Sequence, residues 1–284
     1  MRTIKQQHQA ISSPIADLVT YRALPTRTVE HLDPFLFLNH HGPQVYKPRN
    51  NGLPFGPHPH RGFETVTFIL DGDILHQDSS GHESVIGPGG IQWMTAGSGL
   101  IHSETSSREF KQTGGPLEIL QLWVNLPAKD KMVAPKYLGL QQQDIPTVVL
   151  DEGRVTLHAV SGIWAGTAGA VQPLADVALA TIELKAGGQL TLPVPAPHTV
   201  FFYTIRGQLQ VNGTKTEARR LVEFNYDGDE LQIQALTDAV LLVGHAEPFR
   251  EPVVSYGPFV MNTEAQIREA YQDYQSGKFG TWHE

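Results

Sequence analysis

Thr65-Val66-Thr67-Phe68-Ile69-Leu70-Asp71-Gly72 is a run of β-branched and apolar residues closed by a turn dipeptide, the pattern of a buried strand. Further along, Thr199-Val200-Phe201-Phe202-Tyr203-Thr204-Ile205-Arg206-Gly207 resembles it, with one residue inserted. Downstream of each, Pro88-Gly89-Gly90-Ile91-Gln92-Trp93 matches Asp227-Gly228-Asp229-Glu230-Leu231-Gln232. The offsets are 134–135 and 139 residues, about half of the 284-residue chain. Repetition at half the length predicts two copies of one β-module, joined in the polar stretch 140–146. The expected domains are therefore 1–140 and 141–284.

The remaining sequence reads the same way. Residues 119–126, 155–160, 177–184, 231–236 and 239–244 are short β-rich runs punctuated by Gly, Pro, Asp and Asn. Such spacing predicts an all-β sandwich or barrel rather than βαβ units. One segment, residues 264–276, carries a helical signature and is expected to close the second module. Thr263 with Gln266 forms a potential capping box, Gly277 follows as a C-terminal cap, and Ile267, Tyr271 and Tyr274 make a candidate apolar stripe.

Composition narrows the function. The chain has no cysteine, which excludes disulfides, thiolate zinc sites, iron–sulfur clusters and a cysteine nucleophile. Any metal must be held by imidazole and carboxylate. Lys plus Arg number 21 against 29 Asp plus Glu, a formal charge of −8. That balance argues against direct binding to nucleic acid through phosphate neutralisation. No apolar leader follows Met1, and no stretch approaches 18 apolar residues, so no membrane partner is expected and the location expected is cytoplasmic.

Eight of the 13 histidines fall between His31 and His102. His58-Pro59-His60 places two imidazoles on one face of an extended chain. His102-Ser103-Glu104 does the same with an imidazole and a carboxylate, after the Gly97-Ser98-Gly99 turn. Three imidazoles and a carboxylate suit a divalent transition metal with coordination positions left open. Alternation adds a fifth candidate. If the extension is unbroken, His58, His60, Glu64, Val66, Phe68 and Leu70 share a face, so Glu64 is expected to look inward beside the metal.

These residues carry a family resemblance. Gly52-x5-His58-x-His60-x3-Glu64 is similar to the first cupin motif, and the glycine-rich turn before His102 resembles the second. The run His58-Pro59-His60-Arg61-Gly62-Phe63-Glu64-Thr65-Val66 resembles pirin. So do Gln92-Trp93-Met94-Thr95-Ala96-Gly97, Ile101-His102-Ser103-Glu104, Leu120-Gln121-Leu122-Trp123-Val124-Asn125-Leu126-Pro127 and Tyr256-Gly257-Pro258-Phe259-Val260-Met261-Asn262-Thr263. The resemblance spans nearly the whole chain. It implies two tandem jelly-roll barrels, a bicupin, with a metal in the first. Carried over by position, it implies His58, His60, His102 and Glu104 as ligands, and iron(II) as the cofactor. Nickel, manganese, copper, cobalt and zinc stay open on ligand chemistry. The general cupin pattern would use Glu64 as the carboxylate; the pirin pattern takes Glu104 and leaves Glu64 as a hydrogen-bonded neighbour.

Other histidines are expected to be structural. The second module has Pro195-Ala196-Pro197-His198 where the first has its ligand pair, so it carries no metal, and His245-Ala246-Glu247 is an isolated imitation of His102-Ser103-Glu104. His76 and His82 flank a turn, Asp78-Ser79-Ser80-Gly81. His40-His41 lie in a polar segment that reads as a long loop over the barrel mouth. Trp93 and Met94 belong either to the core or to a pocket wall.

By resemblance, the expected activity is a metal-dependent dioxygenase opening a flavonol such as quercetin with O2, with Glu104 taking the proton of the 3-hydroxyl. The alternative is a metal- and redox-dependent regulatory module whose partner is a transcription factor or metabolic enzyme. A third reading is a cupin sugar isomerase, disfavoured by the aromatic residues of the first module.

Overall fold

A computed structural model describes residues 1–282. They gather into two compact units. One comprises Ser12–Tyr21, Leu36–Gln143 and the chain from Arg250 onward; the other comprises Met1–Ile11, Arg22–Phe35 and Asp144–Phe249. The units therefore differ from the halves 1–140 and 141–284 at both ends of the chain. Strand Ile4–Gln9 pairs with Arg220–Phe224, which draws the N-terminus into the second unit. The C-terminal segment joins the first unit, where the Val260 amide donates to the Arg61 carbonyl.

The first unit is built from β1 (Phe35–Tyr46), β2 (Phe55–His60), β3 (Phe63–Asp71), β4 (Ile74–Asp78), β5 (Glu83–Ile86), β6 (Ile91–Thr95), β7 (Leu100–Thr105), β8 (Gly115–Asn125) and β9 (Lys136–Leu140). Strands β9, β6, β3, β8 and β1 lie side by side in a seven-stranded sheet that Thr20–Leu24 and Ile11–Ser12 complete; β2, β7, β4 and β5 form a four-stranded sheet. The two sheets face each other. Ile69 and Ile119 from the larger meet Ile74 and Ile86 from the smaller, and Met94 packs with Leu100.

The second unit repeats this plan. Thr199–Arg206 occupies the place of β3, flanked by Arg220–Phe224 and Ala239–Ala246, and its four-stranded sheet runs Gln189–Pro193, Glu230–Ala235, Gln208–Val211, Thr214–Glu217. The repeat of Thr65-Val66 at Thr199-Val200 is thus a true structural equivalence. The other proposed match is out of register: Ile91-Gln92-Trp93 lies in β6, whose counterpart by sheet position is Arg220–Phe224, whereas Leu231-Gln232 belongs to the counterpart of β7. Glycine-led turns precede many strands here, so that pattern does not identify one of them.

The segment read as a loop, around His40-His41, is strand β1. Its polar residues are buried because they are partnered: His40 Nε2 lies 2.8 Å from Glu118 Oε1, and His41 Nδ1 lies 2.9 Å from Thr20 Oγ1. The C-terminal helix α1 (Glu264–Gln275) starts on the expected capping box of Thr263 and Gln266. Its buried side is Ile267 and Ala270, packed on Phe259, Met261 and Phe279, with Tyr271 partly covered. Tyr274 is 37% exposed, so the stripe turns one position away from the Ile267, Tyr271, Tyr274 spacing. Among the described residues no helix is long and apolar enough to cross a membrane.

Candidate metal centre

Antiparallel pairing of β2 with β7 sets His102 opposite His58 and Leu100 opposite His60. The two-residue spacing on β2 turns both of its imidazoles to the face that His102 occupies. Donor nitrogens of His58, His60 and His102 all lie within 4.8 Å of one another, and His58 Nε2 is 3.0 Å from His102 Nε2. Backbone carbonyls fix two of the rings. His58 Nδ1 donates to the Gly56 carbonyl at 2.7 Å and His60 Nδ1 to the Pro258 carbonyl at 3.2 Å. With the proton on Nδ1, the two rings turn their unprotonated Nε2 atoms toward the shared interior, the orientation in which they bind a cation. Burial, reinforced by the neighbouring imidazole of His58, lowers His60 to about 3, and burial with His60, His58 and His76 lowers His102 well below the usual value. A metal ion requires neutral imidazole, the form burial gives His60 and His102, and the three rings converge, so the donor set fits one.

Glu104 is two residues beyond His102 on β7 and is buried, but it stands outside the group of three imidazoles. A register shift against β2 falls between His102 and Glu104. Its carboxylate crosses to the larger sheet instead: Oε1 accepts from Thr67 Oγ1 at 3.1 Å and Oε2 from Gln121 Nε2 at 2.5 Å.

Glu64 does not lie beside the imidazoles. Gly62, at φ +88°, interrupts the extension between β2 and β3, so the alternation restarts and the face inverts. A side chain there would also meet the Val260 carbonyl, 2.0 Å from an ideal Cβ. Phe63, Thr65 and Thr67 thus share the ligand side, as the His60–Phe63 ring contact at 5.0 Å and the Thr67–Glu104 bond require. Glu64 falls on the opposite face with Thr95 and Val124, its cross-strand partners. There it accepts a 2.6 Å bond from Thr95 Oγ1, and burial pushes its carboxyl up.

Trp123 and Phe63, with ring centroids 4.4 Å apart, and Phe37, stacked on Trp123 at 4.5 Å, make an aromatic wall next to His60. Met94 lies in the same interior, while Trp93 pairs with Val66 on the Glu64 face.

Sequence reasoning missed His76. Rather than capping a turn, it sits on β4 opposite Glu104, fully buried, with its ring stacked on Tyr137 at 3.8 Å and Nε2 3.0 Å from Asp78 Oδ2. Burial opposes ionisation of Asp78, but hydrogen bonds from His76 and from the His82 and Ser80 amides hold its carboxyl below the usual range. The missed signal was the spacing His76-x-Asp78, a two-residue pair like the other two. His82 is the turn residue expected, its side chain 54% exposed.

The second unit holds no comparable group. On its four-stranded sheet, the interior positions are Leu190, Leu192, Leu231, Ile233, Leu209 and Val211, all within or against one apolar core. His198 and His245 do meet, Nδ1 to Nδ1 at 3.0 Å, beside Trp164. Among the described residues no third donor joins them.

Comparison with known proteins accords with this picture. The profile of the family described as Pirin matches residues 17–124, and that described as the Pirin C-terminal cupin domain matches residues 179–280. A Pseudomonas aeruginosa protein provisionally named as a quercetin 2,3-dioxygenase is 40% identical over 94% of this chain and 92% of its own. A crystal structure of quercetin 2,3-dioxygenase from Acinetobacter baumannii superposes with a TM-score of 0.91 at 36% identity, covering 99% of each chain. The fold is also that of a bacterial pirin from Escherichia coli solved with nickel(II), with a TM-score of 0.66 at 20% identity over 86% of this chain and 99% of the other.

Proposed function

The chain belongs to the pirin family, and from that premise we propose that it is a metal-dependent dioxygenase opening a flavonol such as quercetin with O2. The observation that carries the reading is the convergence of three imidazoles beside an aromatic wall. His58, His60 and His102 would hold the metal, with Glu104 as the fourth ligand and iron(II) as the ion. The bound ion supplies Lewis acidity toward the substrate hydroxyl and a site for oxygen chemistry.

The protein's own residues do the rest. Phe37, Phe63 and Trp123 offer flat apolar surface for a polycyclic aromatic ring. Glu104, when it exchanges a hydrogen bond from Thr67 or Gln121 for one from the substrate, takes up the 3-hydroxyl proton. Thr67 and Gln121 hold that carboxylate until then, which keeps it aligned without closing the site.

Purified protein is expected to contain about one transition-metal ion per chain and to bleach quercetin absorbance in air but not under nitrogen. Replacing Glu104 by Gln is expected to weaken metal retention and abolish bleaching; Glu64→Gln is expected to change neither. Bound metal without quercetin consumption overturns the flavonol assignment in favour of the regulatory module. Loss of metal in the Glu64 variant alone overturns the ligand assignment.

A further inference from the structure

We propose that the C-terminal hairpin and helix α1 form an outer layer of the metal centre, with Asp273, acting through Arg61, as a positioning residue for His60. The inference rests on the reading that His58, His60 and His102 hold a metal ion.

The link between β2 and β3 is His60-Arg61-Gly62, and all three residues are gripped by chain about 200 positions later. His60 Nδ1 donates to the Pro258 carbonyl at 3.2 Å. The Val260 amide donates to the Arg61 carbonyl at 3.1 Å. Lys131 Nζ, itself buried, bridges the Gly62 and Val260 carbonyls at 2.8 and 3.1 Å and reaches Asn125 Oδ1 at 2.6 Å. The approach at Gly62 is so close that no side chain fits there.

Pro258 lies in the turn of a hairpin formed by β10 (Val254–Tyr256) and β11 (Phe259–Met261). A two-stranded ribbon of three-residue strands does not hold its own shape in water. Its seat must come from what it packs on, and α1 supplies the anchor. Asp273 Oδ2 accepts from Arg61 Nη2 at 2.9 Å, while Arg61 Nε donates to the Ser98 carbonyl at 2.7 Å and the guanidinium lies 4.7 Å over the Phe279 ring. Arg61 is almost wholly buried. Losing its anion leaves a buried cation short of a partner, which moves the residue next to the ligand.

The chemical consequence follows from the His60 tautomer. A ligand imidazole is aimed, and its proton kept on the far nitrogen, by the acceptor behind it; loss of such a partner lowers metal affinity by about 10–100-fold. Here that acceptor is a backbone carbonyl, so no substitution at Pro258 removes it. Its position is set through Asp273 and Arg61.

The test is a cobalt(II) titration of metal-free full-length protein by chelator competition, with the visible ligand-field spectrum recorded and folding checked by circular dichroism. Asp273→Asn is expected to weaken cobalt binding about tenfold and to shift the ligand-field bands. Asp273→Glu, which keeps the charge, is expected to recover part of both. Lys278→Ala removes the other partner of the same carboxylate, on its exposed side at Oδ1, and is expected to leave affinity and spectrum unchanged. A folded Asp273→Asn protein with wild-type affinity and spectrum overturns the inference while the metal reading stands. If that variant fails to fold, Arg61→Lys carries the same decision. Wild-type protein that binds no cobalt overturns the metal reading itself.

Discussion

The two units share a sheet plan and differ in what fills it. On the four-stranded sheet of the first, the interior holds His58, His60, His102, Glu104, His76 and Asp78 beside apolar Ile74, Ile86 and Leu100. On that of the second the interior positions are leucine, isoleucine and valine, continuous with one large apolar core. The scaffold therefore does not need polar residues inside; those in the first unit answer to another demand. Some of their polar atoms have no protein partner, among them His76 Nδ1 and His102 Nδ1. Buried groups left so cost about 1–3 kcal/mol each. The second unit has the interior of a barrel filled for packing, and the first has one whose convergent imidazoles could hold a metal ion.

The comparison breaks most visibly on metal content. His58→Ala with His60→Ala is expected to take bound metal from about one ion per chain to near none, measured by elemental analysis of purified protein. His198→Ala with His245→Ala is expected to leave it unchanged. Metal lost from the second pair would mean that the units are not divided as described.

Stability is expected to depend on the opposite unit. Truncating Ile233 to Ala inside the apolar core should cost about 2–5 kcal/mol in denaturant unfolding of metal-free protein, with metal stoichiometry intact. Metal itself should stabilise the wild type by about 2.7 kcal/mol at 100 times its dissociation constant and do nothing for the His58, His60 double variant.

The smallest effect concerns Glu64, the carboxylate on the other side of the sheet. Burial raises its pKa above the usual 4.5, so the folded state retains a proton that the unfolded chain loses. Its contribution is greatest below pH 4.5 and declines as pH climbs from there through the raised value. Glu64→Gln is expected to flatten that decline in the unfolding free energy measured from pH 4 upward. An unchanged slope would mean that the carboxyl ionises in place.

Periodicity and capping chemistry were legible where they are local. Thr65-Val66 and Thr199-Val200 read as strands because β-branched runs ending at glycine have few other solutions, and Thr263 with Gln266 marked the helix start to the residue. The paired spacings of His58, His60 and His102 picked out three imidazoles whose donor nitrogens the fold brings within 4.8 Å of one another. What escaped depended on distant partners. His40 and His41 look like loop residues until Glu118 and Thr20 are placed against them. Glu64 was assigned to the wrong face because alternation holds only along unbroken extension, and Gly62 breaks it. His76 was hidden by its nearness to a turn, though only the next histidine, His82, lies in it.

The central claim is that one unit holds the metal and the other does not. Crystals of metal-loaded protein, measured at the absorption edge of the bound metal, test it directly. The expected anomalous map has one peak per chain, bounded by the Nε2 atoms of His58, His60 and His102. No peak there, or a peak between His198 and His245, would contradict it.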